Sequence, residues 1–328
     1  MTLAADSATS QPQSWLRLRD RRRRESGTEG AVRQMMPAKD ASTLNDVARQ
    51  AASRAEWGAA RDDAPAAESL AIAGLVPLST VDWPGKLVAT VFLQGCPLAC
   101  PYCQNEAILD PKAPGTVRWS QVETLLARRV GLLDGVVLTG GEALRQAGVV
   151  DAARRVREYG FGVGLHTAGA YPRALTKVLP HIDWVGIDVK AMPEDYAAAT
   201  GFGAGVKAWR SLDIVLEAAE QFPADPGAIE GERTNSSNAP GSTGFDYEVR
   251  TTVYPGASAA ERFEELLGEL RARGVRNFAL QEARTDGTPV AFRAQALAWD
   301  RRAWAKRLAE MVDAANTAGF ESFEARLA

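Results

Sequence analysis

The sequence predicts an α/β protein built around a parallel β-sheet, and two observations support this. Six short apolar runs follow residue 70, of the near-continuous kind found in strands that are buried on both faces. Amphipathic stretches of helical length separate these runs. Because strands that alternate with helices form a parallel sheet or a partial barrel, we expect one domain of this type over residues 69–328.

The elements can be placed from the apolar pattern. Capping-box spacing marks the start of two helices, at Ser120 with Glu123 and at Ser258 with Glu261, and Gly274 is the expected stop of the second. A last amphipathic helix follows near Trp304. The predicted strands are 87–93, 135–139, 161–167, 184–189, 247–254 and 277–281.

Two segments depart from this alternation. Residues 1–68 are rich in Ala, Ser, Gln, Asp and Arg without a strand pattern, which predicts a disordered tail. Its arginine run, Arg21–Arg24, offers an alternative role as a polyanion-binding arm. Residues 223–246 are rich in Gly, Pro, Ser and Asn and predict a flexible surface insertion.

Composition narrows the classes of function. Hydrophobic residues make up 46% and charged residues 24%, which is typical of a soluble globular protein. A net charge of -3 gives no reason to expect nucleic-acid binding, and no apolar run approaches the length needed to cross a membrane. Three clustered cysteines without a secretory signal indicate a reducing cytoplasm and exclude a disulfide scaffold.

All three cysteines lie in the stretch GCPLACPYC, residues 95–103, directly after the first predicted strand. This places them at the carboxyl end of a strand, where α/β barrels hold their active sites. Structural zinc sites and electron-transfer 4Fe–4S clusters normally take four protein ligands, whereas this chain has three thiols. His166 or His181 could complete a zinc site, and this alternative stays open. A 4Fe–4S cluster on three thiolates would instead leave one iron open to a substrate or cofactor.

The pattern C-x3-C-x-Φ-C, with Tyr102 as its aromatic residue, resembles the cluster motif of radical S-adenosylmethionine (SAM) enzymes. Residues 74–105 (GLVPLSTVDWPGKLVATVFLQGCPLACPYCQN) resemble the start of glycyl-radical-enzyme activases, most closely the anaerobic ribonucleoside-triphosphate reductase activating proteins. TGGE (139–142), RTTVYP (250–255) and ALQ (279–281) resemble later parts of that family, so that the resemblance covers about residues 72–320.

The resemblance implies a partial (β/α)6 parallel barrel that holds a 4Fe–4S cluster and SAM. Cleavage of the SAM sulfonium by an electron from the cluster would yield a 5′-deoxyadenosyl radical. Cys96, Cys100 and Cys103 would hold the cluster, and Tyr102 would lie near the adenine.

Further residues would line the SAM site. Gly140, Gly141 and Glu142 would meet the amino group of SAM, with a plain strand-to-helix turn as the alternative reading of GGE. Thr167 matches a Thr-Asn-Gly stretch of the family, while Ala168 departs from its asparagine. His166 could face the same site or belong to the core.

Charged residues complete the implied site. Asp188 and Lys190 resemble an Asp-x-Lys pair that faces the cofactor, with an ion pair at the rim as the alternative. Arg250 would reach the carboxylate or ribose of SAM. Asp82, in VDWPG, would lie near the glycine loop of the partner, unless it is a turn residue. We expect Asp82 and Lys190 to be catalytic.

The function implied is that of an activase that abstracts a hydrogen from a glycine of a partner enzyme, most closely anaerobic ribonucleotide reductase. Because the chain has no further cysteine cluster, its electrons would come from outside, from a flavodoxin or ferredoxin. The alternatives are a radical SAM enzyme that acts on a small molecule or peptide, and a non-enzymatic metal-binding protein.

Overall fold

The computed structural model describes residues 65–223 and 244–328. Most of the predicted tail, with Arg21–Arg24, and residues 224–243 of the predicted insertion lie outside the described residues. Residues 65–68, the end of that tail, are described. Ala67 among them is buried, and its backbone N–H donates to Asp151 at 2.9 Å.

One eight-stranded sheet forms the centre of the described protein, and its strands lie side by side in sequence order. β1 runs antiparallel to β2, whereas β2 to β8 are parallel to one another. β1 and β8 are the edges of the sheet. The strands are β1 Ile72–Ser79, β2 Val88–Leu93, β3 Gly135–Gly140, β4 Gly162–Thr167, β5 Trp184–Asp188, β6 Asp246–Val253, β7 Asn277–Glu282 and β8 Ser322–Arg326.

The six predicted strands are confirmed as β2 to β7, and the two edge strands are additions that the sequence pattern did not indicate. β1 contains Gly74 and Pro77, which both weaken a strand pattern. β8 is five residues long and is nowhere fully buried. Both edge strands therefore depend on pairing with a neighbour more than on their own sequences.

The helices fill the connections between the parallel strands. Neither predicted capping box forms: the first helix begins after Arg118, whose backbone N–H donates to Gln121 at 2.9 Å, and Ser258 begins its helix without a side-chain cap. No helix in the described ranges is both long and apolar enough to span a membrane. The helices are α1 Trp119–Arg129, α2 Val149–Glu158, α3 Pro172–Val178, α4 Tyr196–Thr200, α5 Gly205–Gln221, α6 Ser258–Glu261, α7 Phe263–Ala272, α8 Val290–Ala296 and α9 Arg301–Thr317.

The two faces of the sheet differ in chemistry. One face carries fully buried apolar side chains that belong to the main core, among them Val136, Leu138, Val163, Leu165, Val185 and Ile187. The alternate residues turn to the other face, which also holds Val137 and Trp184 but carries many polar or small residues, among them Thr90, Thr139, His166, Gly186, Asp188 and Arg250. Since buried polar side chains need partners, this second face is the place to look for a site.

Trp83 covers the lower part of the polar face. The loop that carries Trp83 joins β1 to β2 and precedes β2, so it lies at the opposite end of that strand from the cysteines. A Cβ atom on Gly135 or Gly164 would lie 3.0 or 2.9 Å from the Trp83 ring, and the ring stacks on Trp184 with centroids 5.7 Å apart. The glycines thus leave the space that the indole occupies.

We predict that Gly164→Ala lowers the free energy of unfolding by about 1–3 kcal/mol, because the new methyl group overpacks against Trp83 and Val137. In a Trp83→Leu background the same change should cost less, since one of the two clashes is gone. Urea unfolding of the four variants of this cycle measures the coupling.

Gly268→Ala is the matched control for this cycle. A Cβ atom there would have no neighbour within 4 Å, and Gly268 lies inside α7. The substitution should stabilise the protein by about 0.5–1 kcal/mol through helix propensity. Equal effects of Gly164→Ala with and without Trp83 would show that the indole does not occupy this space.

Candidate functional site

Most of the predicted site residues gather at the carboxyl ends of the parallel strands, and Asp82 is the exception. The cysteine loop follows β2, Glu142 follows β3, Thr167 ends β4 and Asp188 ends β5. Because these strands are parallel, their carboxyl ends lie on the same side of the sheet. The structure therefore brings together side chains that are spread over about a hundred residues of sequence.

The cysteine loop is held by backbone hydrogen bonds on both sides. Cys96 N donates to Leu109 O at 3.0 Å, Ala99 N to Thr200 O at 2.7 Å and Cys103 N to Cys100 O at 3.0 Å. All three thiols are free. Burial raises the pKa of Cys96 to about 12 and also raises that of Cys103, so metal binding must displace protons from these sulfurs.

The donor set of this loop fits an iron–sulfur cluster. Three thiols, two of them half-buried and one buried, lie on a single loop. Within the described part of the chain, no three His, Cys, Asp or Glu side chains converge as ligands of a single ion. A cluster offers each thiolate its own iron and so accepts ligands that stand farther apart than those of one ion.

The TGGE turn packs directly on the start of the cysteine loop. Gly140 has φ of 125°, and a Cβ atom there would lie 2.2 Å from the backbone of Leu93. A Cβ atom on Gly141 would lie 2.4 Å from Gly95 O. The two glycines are thus required by the contact between the two loops, a reason that the sequence did not reveal.

Glu142 is a buried carboxylate that joins the ends of β3 and β4. It is 1% exposed and accepts hydrogen bonds from Thr167 Oγ1 at 2.8 Å, Ala168 N at 2.8 Å and Leu144 N at 3.1 Å. Burial raises its pKa, although these three donors act in the opposite direction. Thr167 Oγ1 also accepts a hydrogen bond from Gly169 N at 3.0 Å. Glu142 and Thr167 therefore fix the conformation of the loops that follow β3 and β4.

Asp188 lies between two cations. Arg250 Nε donates to Asp188 Oδ1 at 2.8 Å, and Lys190 Nζ donates to Asp188 Oδ2 at 3.3 Å. Burial would raise the pKa of Asp188, but the charges of Arg250 and Lys190 outweigh it and lower the pKa to about 2. One carboxylate between two cations leaves an excess positive charge, which suits a ligand with an anionic group.

Tyr102 stands in an aromatic wall that the sequence did not reveal. Its ring centroid lies 5.5 Å from that of Tyr254 and 6.5 Å from that of Phe292. Lys190 Nζ lies 5.5 Å above the Tyr102 ring and 3.4 Å from its hydroxyl group. Tyr254 belongs to the RTTVYP stretch, so a signal for it existed, whereas nothing in the sequence tied Phe292 to the cysteine loop.

Asp82 lies on the loop before β2, at the amino ends of the parallel strands, and contacts the polar face from there. Its carboxylate accepts a hydrogen bond from Thr90 Oγ1 at 2.6 Å, and its backbone oxygen lies 2.7 Å from His166 Nε2. Since a carbonyl oxygen only accepts, Nε2 carries the proton, and Nδ1 faces Thr139 Oγ1 at 3.4 Å as an acceptor. His166 therefore fixes the Asp82 loop.

The zinc alternative finds no fourth ligand in either histidine. Both ring nitrogens of His166 are engaged by Asp82 and Thr139. His181 lies in the turn just before β5, at the edge of the sheet away from the cysteines.

Comparison with known proteins gives a family match for part of the chain. Residues 90–223 match the model of the family described as the radical SAM superfamily. This match covers less than half of the chain and agrees with the predicted resemblance to that superfamily, whose cofactors are a 4Fe–4S cluster and SAM.

Two relatives have names that point to one branch of it. A Methanocaldococcus jannaschii protein named for glycyl-radical enzyme activation is 37% identical over 131 residues, which cover 38% of this chain and 52% of that protein. The pyruvate formate-lyase-activating enzyme of Clostridium pasteurianum is 30% identical over 151 residues, or 44% of this chain and 61% of that enzyme. The chain thus spans little more than half the length of these relatives.

Solved structures show only a distant likeness. Streptococcus suis SuiB is 12% identical with a TM-score of 0.46, over 72% of this chain and 47% of that one.

We predict that acid destabilises the protein through His166. Burial and the charge of Arg250 lower its pKa from 6.5 to about 3. Between these two pH values the unfolded chain binds a proton that the folded chain does not, so stability falls as the pH falls from 6.5 towards 3. From pH 7 to pH 5 the wild type should lose about 2 kcal/mol more than His166→Gln in urea unfolding of the iron-free protein.

His181→Gln is the comparison variant, because it removes the other histidine and leaves the Asp82 contact in place. Since burial also lowers the pKa of His181, this variant should lose some acid sensitivity of its own but keep the part that His166 causes. Equal acid sensitivity in the wild type and in His166→Gln would contradict a neutral, buried His166.

Proposed function

We propose that the protein is a radical SAM activase that generates a glycyl radical on a partner enzyme. The observation that carries this proposal is a loop with three free thiols and no fourth, placed after the first parallel strand beside a buried glutamate. The names of its two relatives support the activase branch.

The cofactors would be held by the residues at the carboxyl edge of the sheet. Cys96, Cys100 and Cys103 would bind a 4Fe–4S cluster through thiolates. When bound, the cluster and SAM supply one-electron cleavage of the sulfonium bond and a carbon radical that abstracts hydrogen. The protein itself has to orient SAM and exclude water and stray hydrogen donors.

Orientation of SAM would come from opposite charges on the two sides of the site. Gly141 and Glu142 would face the amino group, because a buried carboxylate offers a negative charge there. Arg250 would face the carboxylate or ribose, and its attachment to Asp188 fixes the direction of its guanidinium group. Tyr102 would contribute an apolar surface toward the adenine.

Asp82 and Lys190 are the proposed catalytic residues on the substrate side. Lys190 is anchored by Asp188 and rests against Tyr102, so its ammonium group is held at the polar face. Asp82 is held by Thr90 and His166 and would meet the glycine loop of the partner.

We propose anaerobic ribonucleotide reductase as the partner, on the resemblance of the stretch from VDWPG to the cysteines. The electron would come from a flavodoxin or ferredoxin, since the three cysteines of the chain are all used by one cluster. We place the reaction in a reducing cytoplasm, where such thiols stay unoxidised, and we expect neither membrane nor nucleic acid as a partner.

Electron paramagnetic resonance (EPR) of the reconstituted, reduced protein tests this function in two stages. We expect a 4Fe–4S signal that changes shape when SAM is added, and then a glycyl radical signal once anaerobic ribonucleotide reductase is present. Cys100→Ser should lose the first signal and, with it, the second.

The outcomes test the radical SAM chemistry and the identity of the partner separately. A signal indifferent to SAM, or no iron uptake, would refute the radical SAM chemistry. A response to SAM without a glycyl radical on the reductase would refute this partner. Turnover of a small molecule or peptide in the absence of any partner would favour the other branch of the superfamily.

A further inference from the structure

An exposed helical face lies next to the cysteine loop. Residues 290, 293, 294 and 297 share one side of α8 and its end by their spacing, and all of them are exposed. This face carries two large apolar side chains, Val290 at 72% and Leu297 at 85% exposure. Arg293 stands between them, and its guanidinium group donates to Thr288 O.

The opposite side of α8 packs on the cysteine loop. Phe292 is 1% exposed, and its ring centroid lies 6.5 Å from that of Tyr102, the residue between Cys100 and Cys103. The loop that leads into α8 touches the same place, because Gln104 Nε2 donates to Asp286 O at 3.0 Å. One short helix and its loop therefore separate the surface from the three thiols.

The charge of this surface is opposite in sign to that of the whole chain. The chain carries a net charge of -3, whereas residues 284–302 hold four arginines and two aspartates, all exposed. One of those aspartates, Asp300, accepts hydrogen bonds from Arg302 N and Ala303 N as the cap of α9. A segment with a net positive charge and exposed apolar side chains is complementary to an acidic protein with a small apolar contact area.

The three cysteines suffice for one iron–sulfur site, so the electron that the reaction consumes has to arrive from another protein. We propose that the exposed face of α8, with Val290, Arg293 and Leu297, is the docking site for a small, acidic one-electron donor protein, and that Arg284 and Arg301, which flank it in the sequence, add to its positive charge. This inference rests on the proposed function. In the step itself the donor loses one electron and the iron–sulfur site gains it, while no bond forms or breaks.

Reduction of the reconstituted protein by a purified acidic flavodoxin, supplied in its fully reduced hydroquinone form, tests the docking face. The absorbance of the flavin reports the loss of its electron in a stopped-flow experiment. We expect the double variant Arg293→Glu, Leu297→Ser to accept electrons about tenfold or more slowly than the wild type. The wild-type rate should also fall as salt is added, because the attraction is between surface charges.

Two comparisons control for damage to the protein. Arg128→Glu reverses an exposed arginine on α1 and should keep the wild-type rate. Dithionite is a small reductant that does not need a protein docking site, so it should reduce the iron–sulfur site of every variant at the same rate. Arg301→Glu, outside α8, should slow the flavodoxin reaction in the same direction as the double variant.

Wild-type rates with flavodoxin in both Arg301→Glu and the double variant would overturn the docking face, even if the response to SAM is intact. A double variant that accepts electrons normally but forms no glycyl radical would assign the face to the reductase instead and would also overturn the proposal. Absence of an iron–sulfur site in the wild type would refute the proposed function itself.

Discussion

The close backbone contact between the end of β2 and the turn after β3 is the constraint on which the rest of the site depends. Gly141 N donates to Leu93 O and Glu142 N donates to Gly95 O, both at 2.9 Å, so the parallel pairing continues from the strands into the loops. A side chain at Gly140 or Gly141 would push these loops apart. Because Gly95 precedes the first cysteine, the same contact fixes the distance between the thiol loop and Glu142, and through Glu142 the end of β4.

The charged side chains of the site are buried or half-buried, and their burial determines which partners they need. An isolated charge there would be costly, and each buried charge accordingly has partners. Glu142 is surrounded by hydrogen-bond donors without a cation, whereas Asp188 is paired with two cations. The site therefore has one side that favours a cationic group and one that favours an anionic group. An amino acid carries both groups, so this arrangement of charges suits a ligand of that kind.

The sequence was sufficient where a local pattern decides the structure. The central strands are apolar on their own, and the cysteine spacing defines a metal loop before any fold is known. It was insufficient where contacts between residues far apart in the sequence decide the structure. β1 and β8 exist because neighbours pair with them, and Phe292 joins the wall around Tyr102 only after the chain has passed through five further strands. Gly141 is a case between these limits: the motif marked the residue, but the reason for a glycine is Gly95 of another loop.

The loop from β1 to β2 shows how an open sheet can build an enclosed site. It lies at the amino ends of the parallel strands, opposite the thiols. Trp83 of this loop fills the space above Gly135 and Gly164. Asp82 contacts Thr90 and His166. An indole at this place covers the part of the polar face that lies next to the amino ends of the strands. Since neutral His166 joins this loop to Thr139, the loop is attached to the strand that leads into TGGE.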